Sequence, residues 1–202
     1  MSHIPTADQR SADILESVRS TFAQKGFDGA SMQDLARAAG MSVGNFYRYF
    51  PSKSAIVEAL IALDLAEMER DFRHIIHSPR PLEALRLMLR DHIPQHQCAN
   101  DGQLWAEITA AALRKPEIGS VCLLMETTIV GYLTTVFGAE TGLPAEEAKQ
   151  RFSAHAMFII MLVKASAALE TGTNGDLAHL NAMIFRSIDQ TLDEIASFTL
   201  KV

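Results

Sequence analysis

Three predicted helix starts follow one another closely near the N-terminus, and their spacing constrains the fold more than any other feature. Ser31, Ser42 and Ser52 each precede helix-forming residues, and a Ser at that position accepts hydrogen bonds from the free N–H groups of the first turn. Gly40 and Pro51 separate these segments, because glycine adopts the positive φ found just past helix ends and proline disfavours helical geometry in the residue before it. The sequence therefore predicts two short helices and then a longer one.

Apolar periodicity predicts a helix before this segment, and proline spacing sets the length of the helix after it. The first helix extends from Asp8 to Lys25 and ends at Gly26. The later helix covers residues 52–77 and ends where "HSPRP" contains two prolines. At about 1.5 Å per residue it is about 38 Å long, enough to join two bodies. The first helix buries Ile14, Leu15, Val18 and Phe22 on one face.

The composition of the whole chain favours helix over strand. The sequence contains nine Met but only three Tyr and one Trp, and it has few runs of β-branched residues. Breaks rich in Pro and Gly separate stretches of helical length at residues 77–81, 92–102, 114–119, 137–144 and 171–176. We therefore predict an all-α fold of about nine helices, the last two of which form an antiparallel hairpin.

Charge is distributed unevenly along the chain. The net charge of −6 argues against a polyanionic partner, but residues 1–53 contain six Lys and Arg against five acidic residues. The N-terminus has no apolar signal segment, and the longest apolar run, residues 156–163, is shorter than the ~20 residues that span a bilayer. Cys98 and Cys122 fit a reducing compartment. We predict a soluble cytoplasmic protein without membrane contact, whose N-terminal part can meet a polyanion.

The two short helices together have the layout of a helix-turn-helix. In this motif the second helix enters the DNA major groove, which is about 12 Å wide and admits one helix. In "MSVGNFYRYF", Ser42 and Gly44 are small enough for close approach to DNA. Asn45, Tyr47 and Arg48 can reach outward. The expected inward positions are Val43, Phe46 and Phe50 or their neighbours.

This stretch resembles the DNA-binding domain of the TetR family of bacterial repressors. The resemblance covers about residues 8–60 and rests on a Gly turn, a helix of the form S-x-G-x-x-Y-x-x-F and a Ser-Lys start to the fourth helix. The matching residues are Gly40, Ser42, Gly44, Tyr47, Phe50, Ser52 and Lys53. Tyr49 stands where a His is usual, Arg48 where an aromatic is common and Val43 where Lys is frequent, so the operator sequence does not follow from the resemblance.

The resemblance implies contacts with double-stranded DNA from the starts of both short helices and from the outer face of the second. Asn45 joins this set because of its outward position. The predicted DNA-binding residues are Ser31, Met32, Ser42, Val43, Gly44, Asn45, Tyr47, Arg48, Tyr49 and Lys53. Alternatively, the aromatic residues form a small three-helix core and Lys53 is merely solvated.

The resemblance also implies a division of the chain. A DNA-binding domain of residues 1–53 is followed by the long connecting helix and by a ligand-binding and dimerisation domain of residues 78–202. The last two helices, Ala145 to Thr171 and Leu177 to Thr199, carry apolar stripes that fit a core. We expect them also to pair with a second copy in a four-helix interface. The predicted dimerisation residues are Phe152, Ala156, Ile159, Val163, Ala167, Leu180, Ile184, Ile188 and Leu192.

Met and aromatic residues on the middle helices suit an adaptable apolar ligand cavity, although each also fits an ordinary core. His92 and Glu107 are polar candidates to orient a ligand. The predicted ligand-binding residues are Leu89, His92, Ile93, Trp105, Glu107, Ile108, Met125, Ile129, Tyr132 and Phe158. We therefore predict a small-molecule effector as a further partner.

The predicted function is a ligand-responsive repressor that binds a near-palindromic operator as a homodimer and is released by a small apolar or amphipathic ligand. One alternative is a helical protein-interaction module without DNA binding. A small helical enzyme is another, but the sequence has none of the common nucleotide-binding, metalloprotease or hydrolase motifs. We predict no cofactor and no metal, because two groups of possible zinc ligands match no known spacing. These groups are His74 with His77, and His92 with His96 and Cys98.

Overall fold

The computed structural model describes residues 7–96, 99–167 and 176–198. In these ranges the chain forms nine α-helices and no strand, which confirms the all-α prediction. The predicted break at residues 171–176 lies almost entirely outside the described residues. The helices are α1 (Ala7–Gly29), α2 (Met32–Ala38), α3 (Val43–Tyr49), α4 (Lys53–Ile76), α5 (Pro81–His96), α6 (Ala99–Ala112), α7 (Pro116–Thr141), α8 (Ala145–Ala167) and α9 (Asp176–Ala196).

The three predicted serine caps are present. The Ser31 hydroxyl accepts from the Asp34 N–H at 3.1 Å, and the Asp34 carboxylate accepts in turn from the Ser31 N–H at 3.0 Å. Ser42 Oγ accepts from the N–H three residues later at 3.4 Å, and Ser52 Oγ does the same at 3.1 Å. Each helix therefore begins where its cap satisfies free N–H groups.

Gly26 interrupts α1 at the predicted place. Its backbone has φ 73° and ψ 164°, which is not helical, and a further short turn reaches Gly29. The left-handed φ favours glycine over residues with a Cβ. The chain therefore changes direction between the long first part of α1 and the short segment that leads to α2.

The chain divides into two compact units whose boundaries differ from the predicted domains. The first unit contains Met1–Asp64 and Asn100–Leu123, and the second contains Leu65–Ala99 and Leu124–Val202. α6 therefore belongs with the N-terminal helices and not with the predicted domain that starts at residue 78. The difference arises because Glu107 of α6 accepts a hydrogen bond from Phe27 near the end of α1. These two residues are far apart in the sequence, so no local pattern predicts their contact.

Aromatic residues fill much of the interior of the first unit. The rings of Phe22 and Phe27 stack with centroids 5.8 Å apart, and those of Phe46 and Phe50 lie 5.5 Å apart. All four are buried, which confirms the predicted inward positions of Phe46 and Phe50. Val43, predicted as a further inward position, is 36% exposed instead, at the first position of α3.

α8 and α9 form the predicted antiparallel hairpin. The Phe152 and Phe198 rings are 5.8 Å apart, whereas His155, further along α8, has Nε2 3.7 Å from a carboxylate oxygen of Glu194. Later residues of α8 therefore contact earlier residues near the end of α9, as in any antiparallel pair of helices. α5 packs against both helices.

Most residues predicted for dimerisation lie in the core of the protomer and not on its surface. Phe152, Ala156, Ile159, Ile184, Ile188 and Leu192 are all buried in the core of the second unit. Val163 is partly buried against that core, and Ala167 is half-buried. Leu180 alone of the nine is exposed. The most regular apolar stripes of α8 and α9 pack against each other and against α5, which removes them from water.

Charged side chains tie α5 to α9 at the edge of this core. Arg86 donates to Asp189 and to Asp193, both at 2.6 Å. Arg90 donates to the second oxygen of Asp189 at 2.5 Å, and its guanidinium lies 5.3 Å from the centre of the Phe185 ring. The outer side of α9 is thereby held to α5 by ion pairs as well as by apolar packing.

α7 is the only helix in the described ranges that is long and apolar enough to cross a membrane by length and composition, a test that core helices of soluble proteins also pass. Leu133, Val136 and Phe137 in its second half are buried in the core of the second unit. Leu123 and Leu124 in its first half are exposed. This half of the helix adds to the apolar surface of the chain.

The second unit allows a matched test of core packing on α5. Leu85 is fully buried, whereas Leu87 is 60% exposed two residues later. We expect Leu85→Ala to lower the free energy of unfolding by about 2–5 kcal/mol, because it leaves a cavity in the core. Leu87→Ala should change it by less than about 0.5 kcal/mol. Chemical denaturation monitored by circular dichroism measures both, and equal effects would contradict the described packing.

Candidate nucleic-acid interface

Backbone hydrogen bonds fix the turn between α2 and α3. Gly40 has φ 63°, and its N–H donates to the Arg37 carbonyl at 3.1 Å. The Met41 N–H donates to the Ala36 carbonyl at 2.9 Å. These bonds satisfy carbonyl groups at the end of α2, and the left-handed glycine turns the chain towards α3. The direction of α3 relative to α2 is therefore set by the backbone itself.

One side of α3 is buried and the opposite side is open to solvent. Phe46 anchors the buried side. The exposed residues of this helix and its cap include Ser42, Gly44 and Arg48, and Asn45 is half-buried. We call the set of Ser42, Val43, Gly44, Tyr47, Arg48 and Tyr49 the recognition face. Its large side chains are Val43, Tyr47 and Tyr49, exposed by 36%, 46% and 42% respectively.

The side chains of the recognition face are short at the start of α3 and basic or aromatic at its end. A Cβ placed on Gly44 would have no heavy atom within 4 Å, so the start of α3 is open. Arg48 is exposed and forms no ion pair or hydrogen bond with any side chain that the structure describes. Exposed aromatic rings and an unpaired guanidinium are the groups that proteins use on bases and phosphates. The face can therefore approach a polyanion closely and donate hydrogen bonds to it.

The polar side chains at the start of α2 form hydrogen bonds with one another, unlike those of the recognition face. The Ser31 hydroxyl is exposed but already donates to Asp34 at 2.6 Å within the cap, and Met32 is half-buried. Lys25 donates to Asp34 at 2.7 Å. Lys25 above all, and then Ser31, hold the pKa of the Asp34 carboxyl well below its usual range. Asp34 is therefore ionised and paired, and its charge is partly neutralised beside the turn.

Lys53, predicted to contact DNA, forms two hydrogen bonds within the protein through its ammonium group. Nζ donates to the carbonyl oxygens of Phe27 at 2.6 Å and of Asp28 at 3.2 Å. It also lies 5.0 Å from the centre of the Phe27 ring. These contacts satisfy carbonyls near the end of α1, so Lys53 joins the start of α4 to α1.

The residues predicted to bind a ligand do not all belong to one compact unit. Trp105, Glu107 and Ile108 lie on α6 in the first unit, whereas the other residues are in the second. Glu107 accepts a hydrogen bond from the Phe27 N–H at 3.1 Å, so its carboxylate is engaged at the end of α1. Phe158 is exposed on α8. Leu89 and Ile93 are buried in the core of the second unit, Ile129 and Tyr132 pack against it, and His92 and Met125 are half-buried.

The possible zinc ligands do not form a described site. His74 and His77 are exposed on and just after α4. The side chains of His96 and Cys98 lie outside the described residues. Among the residues that the structure does describe, no three His, Cys, Asp or Glu side chains come together as a metal site.

The hairpin also carries an exposed apolar face, of which the sequence analysis named only Phe158 and Leu180. We call it the hairpin face and define it by Met157, Phe158, Met161, Leu180 and Met183, all exposed. A groove beside Phe158 is lined by residues of both helices, including His155, Gln190 and Thr191. Nδ1 of His155 is buried there and has no hydrogen-bond partner among the described residues. The Met residues at helical spacing were the available signal, but they were overshadowed by the more regular stripe that forms the core.

Comparison with known proteins agrees with the geometry of the N-terminal helices. Residues 14–60 match the family described as bacterial regulatory proteins, tetR family. The HTH-type transcriptional regulator UidR of Escherichia coli strain K12 is 26% identical over 126 residues, which are 59% of this chain and 60% of the relative. EthR of Mycolicibacterium smegmatis, also an HTH-type transcriptional regulator, is 36% identical over 74 residues, 37% of this chain and 34% of the relative. The matches thus span less than two thirds of these relatives.

A solved structure shares the whole fold. Salmonella enterica GusR superimposes with a TM-score of 0.72 at 19% identity and covers 98% of this chain and 100% of its own. An identity this low demonstrates a common fold and no more. The family match and the named regulators confirm the predicted resemblance of the N-terminal helices. Residues 14–60 therefore have both the sequence and the helical layout of the helix-turn-helix domain of the tetR family of bacterial regulatory proteins.

Proposed function

We propose that the protein is a cytoplasmic transcriptional repressor that binds a near-palindromic operator as a homodimer and leaves it when a small effector binds. The recognition face is the observation that carries this proposal. It combines an open helix start at Gly44 with an exposed Arg48 and two exposed Tyr side chains.

In the proposed complex α3 lies in the major groove. Ser42, Val43 and Gly44 allow the start of the helix to approach the base edges, since none of them projects a long side chain. Arg48 donates to a guanine edge or a phosphate, because a guanidinium can form two parallel hydrogen bonds to either. Tyr47 and Tyr49 supply hydroxyl donors and apolar ring surface. Lys53 acts indirectly, through its bonds to the end of α1.

A second copy of the chain is the proposed partner of the hairpin face. Exposed Met, Phe and Leu side chains on two neighbouring helices form the kind of apolar surface that marks a protein interface. Two identical hairpins related by a twofold axis bury the same surface on both copies, which closes the assembly. The axis also relates two α3 helices, so that they read the two halves of a near-palindrome with centres about 34 Å apart or a small multiple of this. The interface uses Met157, Phe158 and Met161 in place of the buried stripe.

The proposed effector is a small apolar or amphipathic molecule. Its support is the number of apolar and aromatic side chains predicted for the pocket, of which Ile129 and Tyr132 are half-buried against the core of the second unit. The Tyr132 ring stacks on Phe72 with centroids 5.3 Å apart, and burial raises the pKa of its hydroxyl. A phenol in such surroundings remains a neutral hydrogen-bond donor at physiological pH, which suits an uncharged polar group on a ligand.

Arg48 provides the first test of the recognition face. Arg48→Ala should weaken binding to duplex DNA taken from beside the protein's own gene by about 5- to 150-fold, because one charged base or phosphate contact is lost. Arg80→Ala, an exposed arginine in the loop between α4 and α5, is the matched control and should bind within about twofold of the unaltered protein. Fluorescence anisotropy titrations at several salt concentrations measure both. Salt-insensitive binding by the unaltered protein would contradict the proposal.

Gly44 provides a steric test. Gly44→Leu should abolish specific binding, because a branched side chain would separate α3 from the groove. Helical content and dimer mass should hardly change, since the site of the added side chain is open in the free protein. Circular dichroism and light scattering check the fold, and titration with the operator checks binding. Undiminished affinity would mean that another surface reads the DNA.

The hairpin face predicts the oligomeric state. Phe158→Glu should shift the protein from dimer to monomer, because a charge replaces an apolar side chain in the middle of the interface. Leu87→Glu makes the same change at an exposed leucine of α5 and should leave the dimer intact. Light scattering after size-exclusion chromatography measures the mass. Dissociation by both variants, or by neither, would reject the hairpin face as the interface.

A further inference from the structure

Side chains from three other parts of the first unit contact residues 26–28 near the end of α1. We call Gly26, Phe27 and Asp28 the α1 joint. The N–H of Phe27 does not continue the α1 hydrogen-bond pattern, because Gly26 has left the helical conformation. Glu107 of α6 accepts this N–H at 3.1 Å. The absence of a Cβ on Gly26 is necessary for this approach, since a Cβ would lie 2.8 Å from the Glu107 carboxylate. A group 80 residues away along the chain thus completes the end of α1.

Two lysines contact the Phe27 ring from different elements. Lys53 at the start of α4 is 5.0 Å from the ring centre, and Lys115, between α6 and α7, is 5.6 Å from it. The ring is buried and stacks on Phe22. Cations over an aromatic face are attracted to its negative potential. Phe27 is therefore bound through its N–H, its carbonyl and its ring.

Asp28 completes the joint through ion pairs to the same loop. Lys115 lies 3.1 Å from one carboxylate oxygen, and Arg114 donates to the other at 3.1 Å. Lys115 first, and then Arg114, lower the pKa of the Asp28 carboxyl, so it is ionised at neutral pH. These pairs are exposed, so each contributes modestly and the joint depends on several contacts together.

The α1 joint and Lys53 enclose the helix-turn-helix. Lys53 lies just after α3, and its bonds to the Phe27 and Asp28 carbonyls close a loop that contains α2 and α3. At the other end only Gly29 and the buried Ala30 separate the joint from the Ser31 cap of α2. A displacement of Phe27 or Asp28 therefore moves both ends of the segment that presents the recognition face.

From this arrangement we infer that Glu107, Arg114 and Lys115 are positioning residues for DNA binding. They hold the α1 joint, and the joint holds α2 and α3 in the orientation that fits the groove. α6 thus takes part in DNA binding without touching DNA, and Glu107 serves the joint in place of a ligand. This inference rests on the proposed DNA binding by the recognition face.

The direction in which Asp28→Ala changes DNA affinity distinguishes a positioning role of Arg114 and Lys115 from direct phosphate contact. If Arg114 and Lys115 touched phosphates, Asp28→Ala would free them and raise DNA affinity. If they act through the joint, Asp28→Ala and Lys115→Ala should each lower affinity by about two- to fivefold. The double variant should then lose little more than either single one, because both remove the same contact. The slope of log affinity against log salt should remain that of the unaltered protein, since no phosphate contact is lost.

Glu107 is tested with a conservative replacement. Glu107→Ala leaves the Phe27 N–H without its acceptor and should weaken operator binding by about tenfold. Glu107→Gln retains a carbonyl oxygen at the same place and should bind within about twofold of the unaltered protein. Neither variant should change the salt slope, whereas Arg48→Ala should reduce it by about one.

A control for general destabilisation uses Leu85→Ala, whose cavity lies in the second unit. All variants are titrated with the same duplex at a temperature where circular dichroism shows them folded. A loss for Glu107→Ala no greater than that for Leu85→Ala, or a gain for Asp28→Ala, would overturn the inference. Failure of the unaltered protein to bind any DNA would instead reject the proposed function itself.

Discussion

Unsatisfied backbone groups at helix ends set the geometry of the N-terminal unit. α2 and α3 have seven residues each, too few to be stable in water through their own hydrogen bonds. Ser31 and Ser42 satisfy the free N–H groups at their starts, and burial of Phe46 secures α3. Glu107 meets the same need where Gly26 releases the Phe27 N–H. The exposed recognition face exists because these groups hold its backbone in place.

The hairpin of α8 and α9 shows that apolar periodicity identifies a core more readily than an interface. The regular stripe from Phe152 to Ile159 is buried within the protomer, and Met157, Phe158 and Met161 are exposed beside it. A helix with apolar residues on two faces has two possible partners. Periodicity alone does not say which face packs within the same chain and which packs against another chain. Burying either face removes apolar surface from water and is favourable for the same reason.

Lys53 and Glu107 illustrate why residue type is a poor guide to role. Lys53 matches a family pattern and carries a positive charge, yet two backbone carbonyls take its ammonium group. Glu107 has no local sequence signal for its contact with Phe27, because a hydrogen bond between residues 80 apart leaves no periodic trace. In contrast, the caps at Ser31, Ser42 and Ser52 and the breaks at Gly26 and Gly40 were predictable. Each acts on groups within a few residues.

The sequence by itself determined the all-α class, the order of the short helices and the side of α3 that carries Phe46. These features depend on local hydrogen bonds and on spacing along one helix, which the order of residues specifies directly. Only the tertiary structure decided that α6 joins the N-terminal unit, that Lys53 turns inward and that the hairpin exposes its Met residues. Those outcomes depend on which distant surfaces meet, and competition between several apolar faces is resolved only when the whole chain packs.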